Sequence, residues 1–449
     1  MYTPHTPQDI AAMLEVIGAP SLDALSDPPA GLKIKGRLDV APALPEADAY
    51  AHIRAMADEN SAARMTSFLG AGAYRHYQPP AVPYFAFRSE FLTAYTPYQA
   101  EASQGSLQAI FEWQTYVCLL TGMDVSNASV YDGSTALVEA VIMAAQATGR
   151  RRVAISRGVH PAYRRVLATY AEGIGVEISE IPLDEAGQTK IPASLDADIA
   201  AAIVQSPNFF GAIDHVDQAA SAAHATGALA VHVSAEALSL AVLKSPRELG
   251  ADIAVGDAQS FGLPVGYGGP YVGFVATTKE HVRRLPGRLV GETHDVDGRK
   301  AYVLTLQGRE QHIRRELASS NICTNQALCA LIATIYLATV GRKGLASIAC
   351  ANMANARALA RAIEAVPGFG LAYRAPYFNE FVVGTPVPAA ELCAQLEKRS
   401  ILAGMPLSRF YPELTRQLLV CATELTTQSQ IDEFARALAQ EGTHAVAAV

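Results

Sequence analysis

Residues 153–181 read VAISRGVHPAYRRVLATYAEGIGVEISEI, and they place two short β-rich runs on either side of a helical stretch. The runs are Val153–Ser156 and Val176–Ile181, and their valines and isoleucines are typical of strands. Between them, Pro161–Glu172 has a small and apolar face that favours a helix. A strand, a helix and a second strand in this order predict a crossover unit with two parallel strands.

The same alternation continues further along the chain. More β-rich runs lie at Ala201–Gln205, Ala228–Ser234, Ile253–Gly256 and Val272–Thr277, with a helical stretch at Asp217–Thr226. Strands joined by crossover helices predict an α/β fold with a mainly parallel sheet that has helices on both faces. Ligands of such sheets bind beyond the carboxyl ends of the strands, so we expect a site there.

Three regions of the chain differ in pattern and predict its domain organisation. Residues 1–104 form an N-terminal helical and extended segment, residues 105–342 a large α/β domain, and residues 343–449 a small C-terminal α+β domain. The pattern also predicts helices at Asp48–Met65, near 309–340 and near 345–365.

Composition excludes several classes of protein. The chain has 449 residues, of which 50% are hydrophobic and 17% charged, so it is not intrinsically disordered. Its net charge of −8 disfavours nucleic acid and anionic membranes as partners. The longest apolar run, Ala327–Val340, is shorter than the ~18–20 residues of a membrane span and predicts a core helix. With no export signal at the N-terminus and no cysteine or histidine cluster at metal-binding spacing, we expect a cytoplasmic protein without a metal site.

Two segments next to predicted strands carry residue types that bind cofactors. Ser134 and Thr135 follow Tyr131-Asp132-Gly133 directly before a helix, where backbone N–H groups and hydroxyls are suited to a phosphate. The alternative is that these hydroxyls only cap the helix. His160 follows the first β-rich run and is placed either to stack on a ring or to serve as a structural hydrogen-bonding histidine.

The order of these features resembles the fold type I pyridoxal-phosphate enzymes. Four longer peptides are similar to one family among them, the P-protein of the glycine cleavage system. They are Ser67–Pro80 (SFLGAGAYRHYQPP), Thr93–Gly105 (TAYTPYQAEASQG), Gly291–Arg315 (GETHDVDGRKAYVLTLQGREQHIRR) and Ser320–Gln326 (SNICTNQ). The resemblance covers residues 2 to 440, and in length the chain is similar to the alpha chain of the family's two-chain bacterial form.

The residue that holds the cofactor in this family is missing. In the catalytic half of the family a lysine follows a histidine just after the strand matched here by Ile253–Gly256, and Gln259 and Ser260 stand at those two places. Serine cannot form the Schiff base that pyridoxal phosphate requires. The resemblance therefore implies no catalytic residue in this chain and only a vestigial cofactor site. That site comprises Ser134, Thr135, His160, Glu236 (where related chains have aspartate), Gln259 and Ser260.

The resemblance also implies partners. Pyridoxal 5'-phosphate would be held by the lysine-bearing subunit 2, and the two chains together would decarboxylate glycine and transfer its aminomethyl group to lipoylated H-protein. Candidate residues for the face toward the partner's site are Gly70, Gly72, Tyr74, His76, Tyr95, Tyr98, Asn321 and Thr324. The aromatic residues among them either shape the partner's active-site mouth or only fill an interface. The basic pairs at 283–284 and 314–315 either meet an acidic carrier protein or are solvated.

Three hypotheses follow from the sequence. The chain is an obligatory but non-catalytic subunit of a pyridoxal-phosphate decarboxylase, or a self-sufficient enzyme that recruits another lysine such as Lys244, or a regulatory or binding module with a degenerate site. Co-purification with subunit 2 separates the first from the third. A Schiff base in the isolated chain would favour the second.

Overall fold

The structure is a computed structural model that describes residues 4–26, 28–29, 31–32, 36, 38–92, 95–322 and 324–447. Thr93, Ala94 and Cys323, which belong to peptides quoted above, lie outside the described residues. The chain divides into two compact units, Met1–Ala63 and Arg64–Val449. The domain boundaries expected after residues 104 and 342 stay predictions.

The first unit contains two helices, α1 (Pro7–Ile17) and α2 (Glu46–Asp58). Thr6 caps α1 in a reciprocal pair with Asp9, and the helix ends at Gly18, whose φ of 75° is readily adopted only by glycine. The helix predicted over Asp48–Met65 is too long, because α2 ends at Asp58 and only a single 3-10 turn follows it.

The second unit contains every strand found among the described residues and further helices. The strands are β1 (Thr66–Ser67), β2 (Val125–Ser126), β3 (Arg152–Ser156), β4 (Glu177–Ile181), β5 (Ile199–Gln205), β6 (Leu229–Ser234), β7 (Ile253–Asp257), β8 (Gly273–Thr277), β9 (Val290–His294), β10 (Lys300–Leu304), β11 (Gly370–Leu371), β12 (Glu380–Gly384), β13 (Ile401–Leu402), β14 (Met405–Pro406) and β15 (Gln417–Cys421). The helices are α3 (Ala81–Ala86), α4 (Ser89–Leu92), α5 (Gln104–Thr121), α6 (Gly133–Thr148), α7 (Pro161–Ile174), α8 (Val216–Ala225), α9 (Gln311–Arg314), α10 (Ala327–Glu364), α11 (Ala389–Glu397) and α12 (Gln428–Ala447).

The central sheet has seven strands in the order β2-β8-β7-β6-β5-β3-β4. The pairs from β7 to β4 are parallel, whereas β8 runs antiparallel to both of its neighbours. All seven residues of β5 are buried, as expected for a central strand that is covered on both faces. The α/β class and the mainly parallel sheet predicted from the sequence are confirmed.

A smaller antiparallel sheet, β11-β12-β15-β14, packs with α11, α12 and the C-terminal half of α10. Phe68 belongs to the same core, where its ring stacks on Phe434 with centroids 4.4 Å apart. Phe68 therefore anchors the chain in this core just before residues 70–76, which reach the candidate site.

Helix α10 is long and apolar enough to cross a membrane by length and composition alone. However, 44% of its most apolar 18-residue window is buried inside the chain, and Ala333 and Tyr336 pack in the core beside Trp113. A core helix of this kind meets the same criteria as a membrane span, and the packing favours the predicted core helix. Gly341 interrupts the helix with φ 61° and ψ 176°.

The helix predicted near 309–340 is wrong in its first half, where the described residues before α10 form only the end of one 3-10 turn, α9 and a second 3-10 turn. Polar side chains of this stretch form hydrogen bonds with residues far away in the sequence. Ser320 Oγ donates to Glu139, and Asn325 Nδ2 donates to the carbonyl of Ala128. Such bonds fix the backbone outside a helix, and Arg315 has a φ of 52°.

A candidate cofactor site filled by the chain itself

The six residues of the predicted vestigial site lie at the carboxyl ends of β3, β6 and β7 and at the start of α6. Five of them are buried and Thr135 is half-buried. Hydrogen-bonding groups of this chain occupy most of their polar atoms, and these contacts decide what the site can hold.

The N-terminus of α6 is capped by the chain's own carboxylates. Asp132 accepts hydrogen bonds from the backbone N–H of Thr135 at 2.8 Å and from Ser134 Oγ at 2.7 Å. The N–H of Gly133 donates to Asp257 Oδ2 at 3.0 Å. Two of the N–H groups of this helix start are therefore already bound, and the hydroxyls of Ser134 and Thr135 take part in the cap.

Asp257 lies where an incoming phosphate would meet the helix. Its carboxylate also accepts from the N–H of Gln259 at 2.9 Å, and burial raises its pKa to about 7. Tyr163 fills further space, because a Cβ at Gly133 would clash with the Tyr163 hydroxyl. Carboxyl groups of Asp132 and Asp257 at one helix start disfavour a phosphate there.

His160 is used entirely within the chain. Its Nδ1 accepts from the N–H of Ala162 at 3.1 Å, and its Nε2 donates to the carbonyl of Ala71 at 2.8 Å. The ring packs between Tyr163 and Phe209, with both centroids 4.9 Å away. Burial lowers the pKa of His160 to about 4, so the ring is neutral at physiological pH.

Residues Gly70–His76, the inserted segment, cover the site. Gln259 and Tyr74 bind each other twice, since the N–H of Tyr74 donates to Gln259 Oε1 and Gln259 Nε2 donates to the Tyr74 carbonyl, both at 2.9 Å. Gly72 has a φ of 92°, and a Cβ on it would lie 2.7 Å from His160 Nε2. Only glycine allows the segment to approach His160 this closely.

A buried ion cluster holds the end of the inserted segment. His76 Nε2 lies 3.1 Å from Glu236 Oε2, and His76 Nδ1 lies 2.8 Å from Glu424 Oε2. Burial alone would lower the pKa of His76, but the two carboxylates raise it to about 10. Nearby, the hydroxyl of buried Tyr74 donates to Glu380 at 2.7 Å, and burial raises the pKa of Glu380 to about 7.

The residues present do not fit pyridoxal phosphate. Ser260 is 1% exposed, and its Oγ has no hydrogen-bond partner among the described residues. Serine offers no amine for a Schiff base. The N-terminus of α6 already binds carboxylates, and the inserted segment covers His160 and Gln259. Glu236, placed from the sequence at the position of the cofactor's acid, instead binds His76 and Asn379.

The residues expected to face a partner separate into two groups. Tyr74 and His76 have buried side chains that bind within the chain, as described above. Tyr95 and Tyr98 are instead 74% and 68% exposed. The Tyr95 hydroxyl lies 3.2 Å from Thr324 Oγ1, and Asn321 is also exposed. Their role at a partner's site stays a prediction.

Sequence reasoning missed Asp257, Tyr163, Glu380 and Glu424. The first two had a local signal, because Asp257 lies two residues before Gln259 and Tyr163 lies three residues after His160. Glu380 and Glu424 had none, since they reach the inserted segment from more than 300 residues away along the chain.

Comparisons with known proteins agree with this architecture. The family model for the glycine cleavage system P-protein matches residues 1–438. A probable glycine dehydrogenase (decarboxylating) subunit 1 from Moorella thermoacetica is 48% identical over 441 residues, covering 97% of this chain and 98% of the relative.

Two solved structures extend the comparison to the fold. A crystal structure of glycine decarboxylase (P-protein) of the glycine cleavage system, in inhibitor-bound form, superposes with a TM-score of 0.92 at 45% identity, covering 98% of this chain and 99% of that one. Sphingosine-1-phosphate lyase from Burkholderia pseudomallei shares the fold alone, at a TM-score of 0.66 and 16% identity over 92% of this chain and 94% of its own. Matched along nearly its whole length, the chain belongs to the P-protein family of the glycine cleavage system.

Proposed function

We propose that this chain is the non-lysine-bearing subunit of a two-chain glycine decarboxylase in the cytoplasm. Together with subunit 2, in a heterotetramer, it decarboxylates glycine and transfers the aminomethyl group to the lipoyl group of H-protein. Subunit 2 supplies the lysine and holds pyridoxal phosphate. The name of the Moorella thermoacetica relative, glycine dehydrogenase (decarboxylating) subunit 1, supports this assignment.

One observation carries the division of labour between the subunits. Position 260 is a buried serine, Asp257 and Tyr163 lie at the α6 N-terminus, and the inserted segment binds His160 and Gln259. A missing lysine alone would leave a site able to bind the cofactor without a covalent bond. A filled site cannot, so the chemistry has to take place on another chain.

A stretch of exposed aromatic residues between positions 84 and 98 supports a partner that packs against this chain. Its members, here named the aromatic face, are Tyr84, Phe85, Phe87, Tyr95 and Tyr98, each at least 46% exposed. Phe91, Leu92 and Leu328 line an adjoining groove of about 120 Å³. Several large exposed aromatic groups within fifteen residues of chain are typical of a segment that contacts another protein. We therefore place the contact with subunit 2 here, with Asn321 and Thr324 at its edge.

The test is reconstitution from separately purified chains. We expect lipoyl-dependent release of CO2 from glycine only when this chain and subunit 2 are mixed, with H-protein present in every assay. Activity of subunit 2 alone at the level of the mixture would contradict the proposal and favour a regulatory module. The aromatic face is tested in the same assay with the double variant Tyr98→Ala and Phe85→Ala. This variant should fold normally but restore less activity than the wild-type chain at equal concentration.

A second experiment tests whether the filled site matters in addition to the missing lysine. We expect Ser260→Lys to form no stoichiometric Schiff base with pyridoxal phosphate, because Asp257 still occupies the α6 N-terminus and the inserted segment still covers His160. A saturable absorbance band with one cofactor per chain would show that lysine alone was missing. The unfolding temperature of the variant, measured alongside, confirms that the chain tested is folded.

A further inference from the structure

A second cavity lies away from the filled site and is lined mainly by arginines. It measures about 330 Å³ and is bounded by Arg283, Arg309, Arg314, Leu306 and Gly308. Three short elements meet there, namely the 3-10 turn that ends at residue 284, the turn that follows β10, and α9. Three guanidinium groups thus line a single concave space.

Arg309 has hydrogen-bonding capacity that the chain does not use. One of its terminal nitrogens, Nη1, donates to the carbonyl of Leu285. Its Nε and Nη2 are buried and have no hydrogen-bond partner among the described residues. Burial lowers the pKa of Arg309, and the charge of Glu310 acts against this shift. Buried donors of a charged group are costly to leave unbound, so an acceptor from outside the chain is expected.

No carboxylate of the described residues lies within 4.0 Å of a nitrogen of Arg283, Arg309 or Arg314. The negative group that acts on Arg309 is Glu310, which itself lies 3.8 Å from His312. The surroundings are basic as well: residues 279–315 contain nine lysines and arginines against five acidic residues, in a chain of net charge −8. The cavity therefore concentrates positive charge on an otherwise acidic protein.

We propose that the cavity formed by Arg283, Arg309 and Arg314 is a binding site for an oxyanion, a carboxylate or phosphate group of a ligand or of another protein. Guanidinium groups present planar pairs of N–H donors that match two oxygens of such a group. The site does not overlap the filled cofactor-type site, because the two share no residue. It also does not depend on the function proposed for that site.

Inorganic phosphate serves as the probe. Titrated calorimetrically into the full-length chain at constant ionic strength set with chloride, phosphate should bind saturably to one site. Arg283→Gln and Arg314→Gln each remove one exposed guanidinium from the rim, and we expect each to weaken binding about tenfold. Arg309→Gln removes the buried donors and should abolish binding. Arg299→Gln, a change of equal charge on the exposed hairpin, should leave it unchanged.

Non-saturable heats in the wild-type chain would overturn the proposal. Equal weakening by Arg299→Gln and the rim variants would do the same, since it would reveal only general charge attraction. Unfolding temperatures without phosphate confirm that the rim variants are folded. Repeating the titration with subunit 2 present identifies the source of the oxyanion: loss of binding indicates a partner carboxylate, and retained binding indicates a free anion. Both results support the site.

Discussion

The inserted segment and the aromatic face are separated by only a few residues of sequence, yet the first is packed within the chain and the second is exposed. In the segment Gly70–His76, the backbone and side chains bind within the chain and Tyr74 is 3% exposed. In the aromatic face, Tyr95 and Tyr98 are 74% and 68% exposed. One region is packed against the chain's own buried residues, and the other keeps large aromatic side chains exposed.

The two regions contribute to different free energies, one to folding and the other to association. A filled site contributes to stability, because its polar groups are bound to one another in a medium of low dielectric constant. An exposed apolar surface contributes little to the fold of the isolated chain, and its free energy becomes available on association. Substitutions in the two regions should therefore affect different measurements.

The largest effect is expected in the ion cluster of the filled site. His76→Ala leaves Glu236 and Glu424 buried without their cation, which should lower the free energy of unfolding by about 3–5 kcal/mol at pH 7. Chemical denaturation of the isolated chain measures it. A loss below about 1 kcal/mol would contradict the importance of the cluster.

The pH dependence of the free energy of unfolding tests the same contribution of His76. The pKa of His76 is raised in the folded chain to about 10, above its ordinary value of 6.5. Its stabilising contribution should be complete below pH 6.5 and lost as the pH rises through 10. The difference in stability between wild type and His76→Gln should therefore shrink from pH 7 to pH 10. A difference that grows over this range would contradict the assignment.

An intermediate effect is expected at Gly72. Alanine there has to adopt a φ of 92° and would place its Cβ 2.7 Å from His160. Gly268 is a matched control with a φ of 94° and open space around it. We expect Gly268→Ala to cost about 1–2 kcal/mol for the backbone alone, and Gly72→Ala to cost about 1–3 kcal/mol more for the close contact. Equal costs in thermal unfolding would show that the segment does not press on His160.

The smallest change, loss of one hydroxyl, compares the two regions directly. Tyr74→Phe leaves an oxygen of buried Glu380 without its donor and should cost about 1–3 kcal/mol of stability. Tyr95→Phe removes only an exposed contact with Thr324 and should change stability by less than about 0.5 kcal/mol. In the assembled complex we expect the opposite order for turnover, with Tyr95→Phe lowering it more than Tyr74→Phe. There, unchanged turnover with Tyr95→Phe would exclude a role for its hydroxyl at the partner's site.

The sequence was sufficient for the parallel part of the central sheet, because its strands and the helices between them have local signals. The apolar run Ala201–Gln205, which lies within β5, and the proline at the start of α7 are examples. The irregular stretch after α9 was not predictable, because Ser320 and Asn325 bind residues about 180 and 200 positions away. Local pattern carries no information about such partners.

The same limit applies to the candidate site. The absence of lysine at Ser260 could be read from a short motif, and it indicated that the chain lacks its own catalyst. That the site is filled could not be read, because Tyr74 meets Gln259 across 185 positions and His76 meets Glu424 across 348. Both His76 and Glu236 were singled out from the sequence, but only the fold brings them together.

The division of labour between the two subunits is tested most directly by locating the cofactor in the assembled complex. Pyridoxal phosphate bound to the complex is reduced with borohydride, and the pyridoxyl label is then mapped by peptide mass spectrometry. We predict one stoichiometric label on a lysine of subunit 2 and only scattered, substoichiometric labelling of this chain. A stoichiometric label on a single lysine of this chain, Lys244 for example, would contradict it.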